Sequence, residues 1–277
     1  NRERSLWQAA NNAGESAPPG KQVLAEDVLY SQIELLEREL AAVRPGRRGI
    51  IDVYFIGMGG YANQDVFMKE VDGVSRLFRD RFGSEGKTVR LVNNSKSLAD
   101  WPIASVTSLR KSLQRVAEVM NNGEDLLFLF LTSHGSATHR FSLDFPPLEL
   151  HELDPEKLRT LLDQSGIKNR VIVISACYSG GFIEPLKNED TLVISASAPD
   201  KNSFGCSNET EWTYFGKAFF DEALRETHSF VEALEIAKPV IAAREKEQGY
   251  TASEPQMSLG EDIKPTLVKL QHQLGSQ

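Results

Sequence analysis

Apolar positions along the chain follow two patterns. One is the short unbroken run, clearest at Leu126 to Leu131 and Val171 to Ile174; the other is apolar residues spaced three and four apart. Short continuous runs read as strands buried on both faces of a parallel sheet, and the three-four spacing reads as one face of a helix. From Ile50 onward the two alternate. Ile50 to Ile56 is strand-like, and Phe67, Val71, Val74, Phe78 and Phe82 share a helical face. Thr88 to Val92 is a second strand, followed by a helical face of Val106, Leu109, Leu113, Val116 and Met120 and by a third strand ending at His134. Residues 138–153 alternate and contain Pro146-Pro147, which suggests a hairpin or extended excursion outside the sheet core. A short helix around Leu158 to Leu162 leads into the strand ending at Cys177. Thr191 to Ser195 is a fifth strand. Two helices follow, one around Tyr214 to Leu224 and one carrying Phe230, Leu234, Ala237 and Ile241, and Gln256 to Leu259 reads as a late edge strand. The pattern predicts an α/β fold: a mostly parallel six-stranded sheet with helices on both faces.

Upstream of this domain, residues 1–24 are small and polar around Gly14-Glu15-Ser16-Ala17-Pro18-Pro19-Gly20 and read as a flexible linker. Residues 25–45 form an amphipathic helix with Leu29, Ile33, Leu36, Leu40 and Val43 on one stripe, stopped by Arg44-Pro45-Gly46. Such a stripe usually packs on the flank of the domain that follows, here residues 49–277.

Composition narrows the function classes. The chain has 277 residues, 40% apolar and 25% charged, enough for a substantial core. Acidic residues outnumber basic ones by 39 to 31, for a net charge of −8, so the basic face of a nucleic-acid binder is not expected. Two cysteines, Cys177 and Cys206, exclude a disulfide scaffold and a four-cysteine zinc site. No His, Asp and Glu cluster stands at ligand spacing, and neither metal nor cofactor is expected. Gly57-Met58-Gly59-Gly60 lacks the full dinucleotide fingerprint. No run approaches the ~20 apolar residues of a membrane span. The start, Asn1-Arg2-Glu3-Arg4, carries no methionine and no signal-like sequence, which reads as a processed or truncated product. The linker suits a tether to an upstream membrane anchor, giving a periplasmic or membrane-tethered placement on that reading and a cytoplasmic one otherwise.

The two apolar runs end in Thr132-Ser133-His134-Gly135 and in Ser175-Ala176-Cys177-Tyr178-Ser179-Gly180-Gly181. Ligands bind beyond the carboxyl ends of parallel strands, so a histidine and a cysteine both stand where chemistry is done. Alone, a cysteine ending a strand is more often a small buried hydrophobe, and a histidine there a hydrogen-bonded loop residue. Together they make a nucleophile and its base. The turn formers after Cys177 put the thiol at a strand exit, and a helix beginning near Gly181 would favour the thiolate. Gly135 admits a close substrate, and its N–H beside that of Cys177 makes an oxyanion site. His139 and His151 flank the excursion and reach this edge only if it folds back; His228 and His272 read as solvated. The chemistry expected is that of a cysteine hydrolase, a peptidase.

His-Gly after one apolar strand and Ala-Cys after the next resemble the caspase-like cysteine peptidases, and among them the legumain family. The likeness extends to Ser195-Ala196-Ser197-Ala198-Pro199, Ser203-Phe204-Gly205-Cys206, Thr213-Tyr214-Phe215-Gly216 and Gln256-Met257-Ser258-Leu259-Gly260. It implies a caspase-like three-layer sandwich and an endopeptidase acting on peptide or protein substrates through a thioester acyl-enzyme. In it Cys177 is the nucleophile, His134 the general base and acid, and Gly135 and Cys177 supply the oxyanion N–H groups. The family's asparagine after the first strand, which orients the histidine, corresponds to Asn63.

Departures bear on specificity. Where legumains have an Arg-His pair this chain reads Gln64-Asp65-Val66, where they have Glu two positions before the nucleophile it has Ser175, and where they have an acid after the Thr-Tyr-Leu-Gly run it has Lys217. Ser203 is retained, so Ser175, Ser203 and Asp65 are the expected substrate-binding positions. Asp65 facing the pocket would favour a basic residue before the scissile bond. Only seventeen residues follow Gly260, which resembles a bacterial-type member without the long C-terminal pro-domain. The same dyad suits a transamidase, in which an amine resolves the acyl-enzyme, and an inert caspase-like binding domain is the third reading; the oligomeric state is left open.

Overall fold

The computed structural model describes residues 25–275, so the linker expected over 1–24 lies outside the described residues. Six strands form one sheet: β1 (Val53–Gly59), β2 (Thr88–Val92), β3 (Leu126–Thr132), β4 (Arg170–Ser175), β5 (Thr191–Ser195) and β6 (Gln256–Leu259), in the spatial order β2-β1-β3-β4-β5-β6. All pairings are parallel except that of β6, which runs antiparallel to β5. Every residue of β1, β3, β4 and β5 is buried, as continuous apolar runs require when helices cover both faces.

The pleat sorts these runs into two cores. Phe55, Phe128, Phe130, Val171, Val173, Leu192 and Ile194 face one side and Tyr54, Ile56, Leu127, Leu129, Ile172 and Val193 the other. The first core is covered by α2 (Asp65–Phe82), by a helical stretch made of α6 (Tyr214–Gly216), a π-helical segment Lys217–Ala223 and α7 (Leu224–Glu226), and by α8 (Phe230–Glu247) and α9 (Lys264–Gly275). The second is covered by α3 (Val106–Val119), α4 (Pro155–Ser165) and α5 (Ile183–Leu186). The result is the three-layer α/β sandwich with a mostly parallel six-stranded sheet expected from the alternation. α1 (Ala25–Ala41) lies on the flank: Gln32 Nε2 donates to Leu98 O at 3.1 Å, Gln32 Oε1 accepts from Ile103 N at 2.7 Å, and Leu36 and Leu40 pack against the second core.

The first strand begins three residues later than its pattern suggested and runs through Gly57-Met58-Gly59. Before it, the Asp52 side chain is tied to Arg47 at 2.7 Å and Lys87 at 3.4 Å and its N–H donates to Asp125 Oδ1, so Asp52 is an ion-paired anchor that joins the sheet only through its carbonyl, which accepts from Leu126 N at 3.0 Å. The glycines sit under α2. A Cβ on Gly57 would lie 3.0 Å from Val71 Cγ1 and one on Gly59 3.1 Å from Phe67 O, so the glycine pattern serves helix-on-strand packing and not a phosphate loop.

α2 follows β1 on one face and α3 precedes β3 on the other. The chain therefore reverses its winding between β1 and β3, and a crevice opens beyond their carboxyl ends. The excursion after His134 folds back over that crevice. Bridges Tyr61–Asp144, Gly135–Phe141 and Phe141–Leu153 tie it to both strand exits, with Phe141 fully buried. No helix among the described residues is long and apolar enough to cross a membrane.

Candidate active site

β3 and β4 pair as far as Thr132 with Ser175, and Ser133 N–H donates to Ser175 O at 3.2 Å. His134 and Cys177 each stand two residues beyond that last pair. The ladder thus brings the histidine and the thiol to one level on neighbouring strands. The approach is tight at Gly135, where a Cβ would lie 2.0 Å from the carbonyl oxygen of Cys177. Only a residue without a side chain fits.

The imidazole of His134 is held between Tyr61 and Phe67, both edge-on, with ring centroids 4.6 and 5.2 Å away. This apolar enclosure lowers its pKa below 6.5 by desolvating the cation. His134 Nε2 lies 2.7 Å from Gln64 Oε1, and the other end of that amide, Gln64 Nε2, donates to Cys206 O at 3.4 Å. A carbonyl only accepts, so Cys206 fixes the amide with its oxygen toward the ring. The proton of neutral His134 therefore sits on Nε2 and the lone pair on Nδ1. Asn63, expected to orient this ring, is exposed; its neighbour Gln64 does so instead. A one-residue offset in an irregular turn is beyond the reach of spacing arguments.

The thiol is half-buried and free, and both backbone polar groups of Ser203 bracket it: Cys177 Sγ donates to Ser203 O at 3.3 Å, and Ser203 N donates to the sulfur at 3.3 Å. Tyr178 then takes a left-handed conformation, φ 57°, and the chain turns into a 3-10 segment Ser179–Phe182 that continues as α5. The helix expected near Gly181 thus starts at Ser179 and comprises two short turns.

Beneath this edge lies a buried polar floor that the sequence reading did not anticipate. Glu70 of α2, completely buried, accepts from Thr132 Oγ1 at 2.6 Å, Thr213 N at 2.8 Å and Thr213 Oγ1 at 2.7 Å. Thr213 Oγ1 in turn lies 3.4 Å from Ser175 Oγ. One carboxylate so joins the ends of β3, β4 and the loop before α6, and burial pushes its pKa up. A trace was present in sequence: Glu70 occupies the i+3 position of the stripe begun by Phe67, where an apolar residue belongs.

Two expected substrate-binding positions are placed otherwise. Ser175 is 2% exposed and belongs to this floor, with no face toward a ligand. The carboxylate of Asp65 is committed to Lys96 and to Asn94 Nδ2, the latter at 3.0 Å, so its charge is balanced within the fold and does not favour a basic substrate residue. Ser203 does stand beside the thiol, through its backbone. Cys206 is half-buried, and desolvation above all pushes its pKa to about 12. Among the described residues no group of three His, Cys, Asp or Glu side chains is placed to hold a metal ion.

The family model for the peptidase C13 family matches residues 106–266, a segment that contains both strand exits. The chain belongs to the peptidase C13 family, the legumain family. The three-layer sheet is accordingly the caspase-like fold of that family, and the protein is a cysteine peptidase whose substrates are peptides or proteins. Comparison with curated proteins gives no match. Gln64 and Glu70 of the peptidase lie outside the matched segment, so the residue orienting His134 and the buried carboxylate below it rest on the geometry alone.

Proposed function

We propose that the protein is a cysteine endopeptidase in which Cys177 is the nucleophile and His134 the general base and acid. The observation that carries this reading is the register of β3 on β4, which sets a neutral, desolvated imidazole level with an accessible thiol at the carboxyl edge of the sheet. With Nε2 engaged by Gln64, Nδ1 of His134 takes the thiol proton. The sulfur attacks the scissile carbonyl carbon, and the carbonyl electron pair moves onto oxygen, facing the N–H groups of Gly135 and Cys177. Collapse breaks the carbon–nitrogen bond, and the leaving amine takes the proton from Nδ1. Water then adds to the thioester, giving one proton to His134 as it attacks; the acid leaves and the thiol regains that proton. Asparagine preference is not carried over, because Ser175 is buried and Gln64 and Asp65 are occupied elsewhere.

The test is iodoacetamide labelling of the native protein, read by mass spectrometry, with a fluorogenic peptide panel varied at the residue before the scissile bond. Rapid labelling of Cys177 with Cys206 untouched, and turnover that Cys177→Ala abolishes, is the expected result. Turnover that survives Cys177→Ala would sink the reading. Labelling with no hydrolysis until a small amine is added would move the assignment to transamidation.

A further inference from the structure

The excursion after His134 brings a second histidine to the nucleophile's turn, and nothing in the mechanism above uses it. His139 sits in a left-handed conformation, φ 58°, at the tip of the loop that starts with His134-Gly135, fixed by His139 N donating to Ser136 O at 2.9 Å. Its Nδ1 lies 3.1 Å from the carbonyl oxygen of Tyr178. Since that oxygen only accepts, His139 donates through Nδ1–H. The same oxygen also accepts from Gly181 N at 3.2 Å, and Tyr178 N donates to Lys201 O at 2.7 Å. The imidazole lies flat against Gly181, where a Cβ would stand 2.2 Å from its Cγ; the glycine is the seat that admits the ring.

Two non-glycine residues in left-handed conformation therefore face each other, one on the base's loop and one immediately after the thiol. Such conformations are disfavoured for residues with a side chain and persist where surrounding contacts fix them. Resting on the assignment of Cys177 and His134 made above, we infer that His139 is a positioning residue. It locks the turn after Cys177 to the loop after His134, and so sets the spacing of the Cys177 and Gly135 N–H groups that receive the oxyanion. It takes no proton from substrate and touches no reacting atom. Gly135 against Cys177 O is one point of attachment between the two loops; His139 on Tyr178 O is the other.

This role separates two reactions of the same thiol. Alkylation by iodoacetamide is a displacement at carbon that develops no oxyanion, whereas acylation by p-nitrophenyl acetate passes through a tetrahedral oxyanion. His139→Phe keeps a ring on Gly181 but has no donor. It is expected to slow p-nitrophenolate release from Cys177 by roughly 30-fold while alkylation changes by less than about threefold. Gly181→Ala, which expels the ring without touching His139, should give the same split. His139→Asn tolerates the left-handed backbone and offers Nδ2–H in place of Nδ1–H, and should stay within about threefold of the wild type in both reactions. All variants are compared as folded protein with a melting curve alongside. Acylation unchanged in both His139→Phe and Gly181→Ala would overturn the inference, as would equal losses of acylation and alkylation, or an Asn variant as impaired as Phe. Failure of the dyad itself is distinct: in that case wild-type Cys177 does not alkylate at all.

Discussion

A methyl group on Gly135 would lie 2.0 Å from the carbonyl oxygen of Cys177. That oxygen is backbone, part of the turn that follows β4, and it has no soft torsion by which to retreat. Gly135→Ala is therefore expected to force the two loops apart, lowering kcat by about 100-fold or more, since displacements of ~1 Å at a reacting centre carry losses of that size. Cleavage of the best peptide in the fluorogenic panel measures it; a variant within about threefold of the wild type would show the approach to be slack.

Gln64 and Asn63 are neighbours with different assignments. Gln64→Leu removes the acceptor that keeps the proton of His134 on Nε2, frees the ring to take the other tautomer, and should lower kcat/KM by roughly 10–100-fold. Asn63→Ala, on an exposed side chain, should leave kcat/KM within about twofold. The reverse order of effects would return the orienting role to Asn63.

The pH dependence of Cys177 alkylation reports His134. Tyr61 and Phe67 desolvate the ring, which holds its pKa below 6.5, so the neutral base persists to lower pH than an ordinary histidine and the acid limb of the rate should fall below that value. Phe67→Ser admits water, stabilises the imidazolium and should shift the limb upward. A limb in the wild type at or above 6.5 would contradict the enclosure.

Glu70 links pH to stability. Burial raises its folded-state pKa above the ordinary carboxyl value of 4.5, so the native state holds this proton more tightly than the unfolded chain. Its contribution is complete below 4.5 and is lost as pH rises through the folded value. Glu70→Gln keeps an acceptor for Thr213 and a group able to donate to Thr132 Oγ1, carries no charge, and should gain stability over the wild type as pH rises from about 5 to about 8. Glu70→Ala leaves Thr132 and Thr213 without their acceptor and opens a cavity, costing about 2–4 kcal/mol. Chemical denaturation of the three proteins across pH reads both effects, and parallel curves for the wild type and the Glu70→Gln variant would show that the carboxyl titrates normally.

Periodicity alone determined most of the architecture. Runs such as Leu126 to Leu131 admit burial on both faces and nothing else, and the helical stripes between them require crossover connections, so a mostly parallel sheet with His134 and Cys177 at its carboxyl edge followed from local pattern. What only the tertiary structure decided are contacts between segments far apart in sequence. Gln64 reaches His134 because β1 lies beside β3; Glu70 meets Thr213 because α2 and the loop before α6 share one face of the sheet; Ser175, which the alternation of β4 puts on the side of Val171 and Val173, meets Thr213 there. His139 meets the turn after Cys177 because the excursion folds back across the strand ends. A residue pattern encodes which face of its own element is buried. It does not encode which distant polar group will be waiting there, since hydrogen bonds are short and directional and depend on offsets of a single residue that periodicity averages away.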